Sequence, residues 1–128
     1  MISMNNVCFS YRQKRRNRDI LVDLSMQFAP GKVYAIYGPS GVGKTTCLSV
    51  LGGLDTPTKG SIEIDGTDIK TIGYSQLRKQ FVSFVFQDYH LFPYMTAIEN
   101  VVVAASIANK SKGHEAKEQA TALLSSLG

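Results

Sequence analysis

The sequence predicts an α/β fold, on three observations. Short apolar runs alternate with helix signals along the chain. One run without a polar face, "VYAIY" at 33–37, leads straight into a glycine-rich loop and then a helical pattern. No internal repeat or low-complexity segment interrupts this order.

The elements follow in turn. "VCFSY" and "DILVDLSMQF" are apolar segments on either side of the basic run "RQKRRNR" at 12–18, which reads as a solvated hairpin loop. In "ILVDLSMQF", Val22, Leu24, Met26 and Phe28 alternate with Asp23, Ser25 and Gln27, so 20–28 is expected as a half-buried strand with those four residues inward. "APGK" turns the chain into 33–37, a strand buried on both faces. A helix is expected from about Gly43 to the Gly52-Gly53 stop. "SIEIDG" reads as a strand ending in an Asp65-Gly66 turn, "YSQLRKQ" as a short helix, and "FVSFVF" at 81–86 as another strand. Thr96 and Glu99 have capping-box spacing ahead of "NVVVAASIANK", which supports a helix despite three successive valines. A last helix fits 114–127, with Ala116, Ala120, Leu123, Leu124 and Leu127 on one face and Gly128 as its cap.

Composition excludes several classes. At 128 residues and 44% hydrophobic, the chain is one ordinary globular domain with no linker. Its longest apolar stretch, "VVVAASIA", is far short of the ~20 residues that cross a bilayer, and the start "MISMNNVCFS" lacks the pattern of a signal peptide. A cytosolic location with reduced Cys8 and Cys47 is expected. The net charge of +4 comes from 12–18, which holds five of the 14 basic residues; the other nine face ten acidic ones. Nucleic-acid binding is therefore not expected, and would need salt-sensitive retention through that run.

Gly38, four residues, then Gly43, Lys44 and Thr45 match G-x-x-x-x-G-K-[ST], between a buried strand and a helix as the motif requires. With glycine near ~7% of residues, a chance match in a chain this long is expected less than about one time in a hundred. The glycines let backbone N–H groups curl around a phosphate, and the helix N-terminus adds its partial positive charge. Lys44 would reach β and γ oxygens as a point charge, and the Thr45 hydroxyl would ligate Mg²⁺. Cys47 is expected as a core residue rather than an activated thiol. His90 and His114 read as surface residues.

"GPSGVGKTT", then "LGGLDTPTKGSIEIDG", then "VFQDYHLFPYMTAIENVV" in this order resemble the ATP-binding subunits of ABC transporters along essentially the whole chain, most nearly those of lipoprotein-release and macrolide or peptide exporters. The resemblance implies a P-loop NTPase-type α/β sheet with a small antiparallel β subdomain at about 1–95 and the start of a helical subdomain at about 96–128. It implies ATP held by Tyr11 on adenine and by Gly38, Ser40, Gly41, Gly43, Lys44, Thr45 and Thr46 on phosphate, with Mg²⁺ near Thr45 and Gln87. Lys44 and Gln87 would serve catalysis, Gln87 beside the attacking water. It further implies a second nucleotide-binding subunit, a transmembrane permease touched by the loop after Gln87, and a place on the inner face of the membrane. On the residues alone, Tyr11 is equally a strand-end aromatic, and Gln87 the first polar residue after "FVSFVF".

Such ATPases also need an apolar strand ending in Asp-Glu to orient the attacking water. "FVFQD" has Gln87 where that Asp would stand, "SIEID" alternates as a hairpin strand, and "LLSSLG" lacks the paired glycines of the family signature. The resemblance therefore implies the first half of such a subunit, its core strands after residue 128 missing, and no turnover by the 128 residues alone. It also implies that 33–37 and 81–86 are not neighbours and lack the strands between them. A GTPase would want N-K-x-D, which "NKSK" at 109–112 fails at its last residue. A product that binds nucleotide without turnover is the other reading.

Overall fold

The computed structural model describes residues 1–12, 17–109 and 113–127. The basic run at 12–18 thus falls largely outside the described residues, as do most of 109–112 and the cap expected at Gly128. The chain forms two compact units, Met1–Phe84 and Val85–Gly128.

The first unit is built on a four-stranded antiparallel sheet in the order β2-β1-β3-β4. Its strands are β1 (Ile2–Arg12), β2 (Asn17–Phe28), β3 (Lys59–Ile64) and β4 (Thr67–Asp68). β1 and β2 form the expected hairpin, from Ile2 opposite Phe28 to Arg12 opposite Asn17. The strict alternation expected along β2 is corrected: Val22 is 72% exposed, and Leu21 is buried in its place. The cause is an irregularity shared by both strands. Asn6 and Asp23 have φ of 48° and 52°, a left-handed conformation that Asn and Asp tolerate better than other side chains. The Asn6 Nδ2 donates to Asp23 Oδ1 at 2.6 Å, and the Asn6 N–H to Ser25 Oγ at 2.9 Å. Each strand thereby changes parity, so that Met4 and Val7, and Leu21 and Leu24, face inward although they lie three residues apart.

α1 (Lys44–Leu51) lies on this sheet with Cys47 and Val50 buried. They join Met4, Val7, Phe9, Leu21, Ile62, Ile69 and Leu77 in one core, which α2 (Ile69–Ile72) and α3 (Tyr74–Gln80) complete. α1 ends at Gly52 as expected, and Arg78 Nη1 donates to the Gly53 carbonyl at 2.6 Å, tying α3 to that stop. The β3–β4 turn is Asp65-Gly66, with φ of 48° and 79°; positive φ at both central residues suits the twist of a tight hairpin.

The segments 33–37 and 81–86 join no ladder among the described residues. Val33 and Val85 are fully exposed, while Ile36 and Val82 pack on the core. The strand reading of these two runs is therefore corrected to irregular chain. An apolar run asks for burial, but a strand also needs a neighbour to accept its backbone bonds. The α/β class holds, and the antiparallel portion is formed as expected.

In the second unit α4 (Ala97–Asn109) packs on α5 (Gly113–Ser126). The capping box is made: Glu99 N–H donates to Thr96 Oγ1 at 3.3 Å, and Thr96 N–H to Glu99 Oε2 at 2.7 Å. α5 buries Ala116 and Ala120, spaced one turn apart. Leu123 continues that face by helical spacing, as expected, but neither it nor Leu127 is covered. They are 53% and 78% exposed, and Leu127 lies past the helix end.

Backbone and side-chain hydrogen bonds from Thr96 hold the Glu99 carboxyl below its ordinary range. Its contribution is therefore present above the ordinary carboxylate range and lost as pH falls through the lower folded value. Thr96→Ala should cost about 1 kcal/mol and flatten the acid limb of the α4 helical signal below about pH 4, as read by circular dichroism against pH. An acid limb unchanged in the variant would show that the cap is not what titrates.

Candidate functional site

The loop 38–43 joins the irregular segment 33–37 to the head of α1. Gly43 is the N-cap residue, at φ 102°, and no side chain caps the helix. The first-turn N–H groups, which lack intrahelical acceptors by construction, are thus left for an anion. No acidic residue stands in that turn to compete. A side chain at Gly43 would meet Ile20 Cγ2 at 2.8 Å, so the position is restricted both by backbone conformation and by close approach to β2.

Lys44 is half-buried, and its Nζ donates to the carbonyls of Gly38 and Pro39, each at 2.8 Å. The ammonium is therefore held across the inside of the loop, where it cross-braces the backbone and keeps a positive charge at its centre. Ser40, Gly41 and Thr45 are exposed, and Thr46 is half-buried. Two recesses flank the lysine. One, of about 250 Å³, is lined by β2 side chains with Ile36, Val42 and Cys47. The other, of about 420 Å³, is lined by Phe28, Tyr34, Ile36, Thr45, Leu48 and Leu51. Neither contains a carboxylate.

The structure brings Gly38, Ser40, Gly41, Gly43, Lys44, Thr45 and Thr46 together on one loop and helix turn. Tyr11 lies in the same unit, on β1 opposite Arg18. Its ring and that of Phe9 meet at right angles with centroids 5.0 Å apart, and it is 46% exposed. Gln87 belongs to the second unit and is exposed. Cys47 is buried, which pushes its thiol above the usual range, as suits a core residue. His90 and His114 are exposed, as expected of surface residues.

Sequence reading missed one polar network. Asn100, half-buried in the first turn of α4, bonds through its side chain to Phe92, Met95 and Thr96. The available signal was an amide directly after a capping-box glutamate and before an apolar run.

Comparison with known proteins places these features in a family. The family model described as "ABC transporter" matches residues 21–128. The uncharacterized ABC transporter ATP-binding protein YclH of Bacillus subtilis (strain 168) is 46% identical over 106 residues, spanning 82% of this chain and 47% of that protein. The lipoprotein-releasing system ATP-binding protein LolD of Syntrophotalea carbinolica is 40% identical over 131 residues, 100% of this chain and 57% of its own length. The macrolide export ATP-binding/permease protein MacB of Sodalis glossinidius is 37% identical, this chain spanning 20% of it. Among solved structures, the ATP-binding cassette MJ0796, dimeric and bound to ADP and Pi in a post-hydrolysis state, superposes with a TM-score of 0.83 at 31% identity, covering 98% of this chain and 56% of that one. The chain thus spans about half the length of YclH and LolD.

Gly43→Ala should destabilise the first unit by about 1–2 kcal/mol from left-handed strain alone, with a further cost from the Ile20 contact. Adding Ile20→Ala should recover only the steric part. Urea unfolding of the wild type, the two single variants and the double variant measures this, and strict additivity would show that the loop does not press on β2.

Proposed function

The chain belongs to the ABC transporter family as part of its ATP-binding domain, and from that premise we propose that it binds MgATP through the 38–46 loop and that the whole subunit hydrolyses ATP to drive export. The observation that carries this reading is the uncapped head of α1 behind a left-handed Gly43, with Lys44 held inside the loop. A triphosphate has the charge and the oxygens to replace both of the lysine's carbonyl partners. Lys44 then exchanges Gly38 and Pro39 for β and γ oxygens, while Gly41, Gly43, Thr45 and Thr46 offer backbone N–H groups to the β-phosphate.

Tyr11 would stack its ring on adenine. Thr45, an exposed hydroxyl at the helix head, fits a Mg²⁺ that retains most of its waters and takes few protein ligands; such an ion supplies charge neutralisation between the β and γ oxygens. Gln87 would approach that ion and orient the attacking water in the assembled subunit. Among the described residues no carboxylate lines either recess beside Lys44, which supports a reading in which these 128 residues hold nucleotide without turning it over.

The same reading gives the chain two partners. One is a second nucleotide-binding subunit, supported by the dimeric solved cassettes. The other is a transmembrane permease met by the loop after Gln87, supported by the relative named as an ATP-binding/permease protein. That loop exposes Tyr89, Leu91 and Tyr94, an apolar rim suited to burial against a partner. Attachment through the permease would place the chain on the cytoplasmic face of the membrane. No helix among the described residues is long and apolar enough to cross a membrane itself.

Lys44→Ala should weaken MgATP binding by about ten- to a hundredfold, the worth of charge-assisted bonds to phosphate. Tyr11→Ala should weaken ATP by about fivefold or more and leave inorganic triphosphate unaffected. Equilibrium binding to both ligands tests this, and unchanged ATP affinity in the lysine variant would overturn the assignment. Phosphate release by the wild-type chain should not exceed that of Lys44→Ala; clear lysine-dependent release would mean that other groups do the chemistry.

A further inference from the structure

We infer that Asn100 is a positioning residue, whose carboxamide moulds residues 92–96 into the rim of the apolar groove that a permease partner meets. This rests on the docking role proposed above for the loop after Gln87. Asn100 Oδ1 accepts the Phe92 N–H at 2.8 Å. Its Nδ2 donates to the carbonyls of Phe92 at 3.2 Å, Met95 at 3.2 Å and Thr96 at 3.0 Å. One amide thus uses both its acceptor and its donors on a single turn of backbone.

That turn is weak without it. It has one backbone bond of its own, from Met95 N–H to the Phe92 carbonyl at 3.0 Å. Pro93 suits the second position of such a turn but supplies no donor. Asn100 also satisfies the Met95 carbonyl, which would otherwise stand beside an apolar surface where unpaired polar groups are costly, and adds a second donor to the Phe92 and Thr96 carbonyls, which already accept the Met95 and Asn100 N–H groups. The turn forms one wall of a groove of about 770 Å³, whose other wall includes Val101, Ala104 and Ile107 of α4 and Leu124 of α5. No Asp, Glu, Lys or Arg lines it. A groove lined mostly by apolar side chains selects its partner largely by shape, so the position of the turn decides which apolar side chains can enter.

The donor role has a consequence that mere space-filling does not share. Asn100→Asp is isosteric and keeps the acceptor for Phe92 N–H, but it aims a carboxylate at three carbonyl oxygens. Asn100→Ala leaves the Met95 carbonyl without this donor and the Phe92 and Thr96 carbonyls with only their backbone N–H partners, and it repels none of them. The aspartate should therefore be the more damaging change. Native-state chymotryptic cleavage after Tyr89, Leu91 and Tyr94 reads the turn directly, with cleavage after the exposed Tyr37 as the internal reference. Asn100→Ala should raise the loop rate by about tenfold and Asn100→Asp by more, with the Tyr37 rate and the Lys44-dependent ATP affinity unchanged. An aspartate variant that behaves as wild type while the alanine variant is nicked faster would reduce Asn100 to a space-filler and overturn the inference, as would no acceleration in either.

Docking is read separately, by sedimentation with vesicles of the native cell membrane, cytoplasmic face outward, using protease-shaved vesicles as the blank. The wild type should co-sediment, and Asn100→Asp should lose binding by about tenfold or more. A wild-type chain that fails to sediment overturns the docking reading and with it the use assigned to the turn, whatever the cleavage ratios. Wild-type and aspartate chains that sediment equally overturn the inference alone.

Discussion

The closeness of the α1 head to strand β2 is the constraint on which the 38–43 loop depends. Gly43 lies so near Ile20 that no side chain fits between them. That approach lets Cys47 and Val50 reach the sheet core one and two turns later, while no side chain caps the first-turn N–H groups. A helix set further out would bury less and would aim those groups differently. The glycine thus serves packing and chemistry through one geometric fact, and the lysine that follows inherits its place inside the loop.

The hairpin that supplies Ile20 is itself shaped by a second local feature. With Asn6 and Asp23 both left-handed and bonded to one another, β1 and β2 change parity together. Leu21 and Leu24 can then both face α1, which a regular strand would forbid. A polar pair on the outer surface therefore decides which apolar residues form the inner one. Removing the local bond would alter the core without touching a core residue.

The apolar segments 33–37 and 81–86 contrast with this closed hairpin. They lead into the proposed site residues Gly38 and Gln87, yet they expose Val33, Tyr37, Val85 and Phe86 and pair with no strand among the described residues. Exposed apolar side chains on chain that joins no sheet are suited to burial against a partner. The matched portions of YclH and LolD are about half of those proteins, and the sheet described here is correspondingly the antiparallel part of the fold.

Local chemistry was legible in the residues themselves. The Gly-x4-Gly-Lys-Thr spacing, the Gly52 stop, the Asp65-Gly66 turn and the Thr96/Glu99 box each depend on neighbours within a few positions, and each is formed where the sequence places it. What needed tertiary structure depends on residues far apart in the chain. The inward face of β2 turned on Asn6, seventeen positions away. Whether 33–37 became a strand turned on a partner to receive its hydrogen bonds, and its composition could state only that it is apolar. Asn100 looked like one polar residue in an apolar helix, and only the folded turn before it revealed what the amide holds. Short-range rules set which conformation each segment prefers; long-range packing and hydrogen bonding decide which side of it faces in and whether it has a neighbour at all.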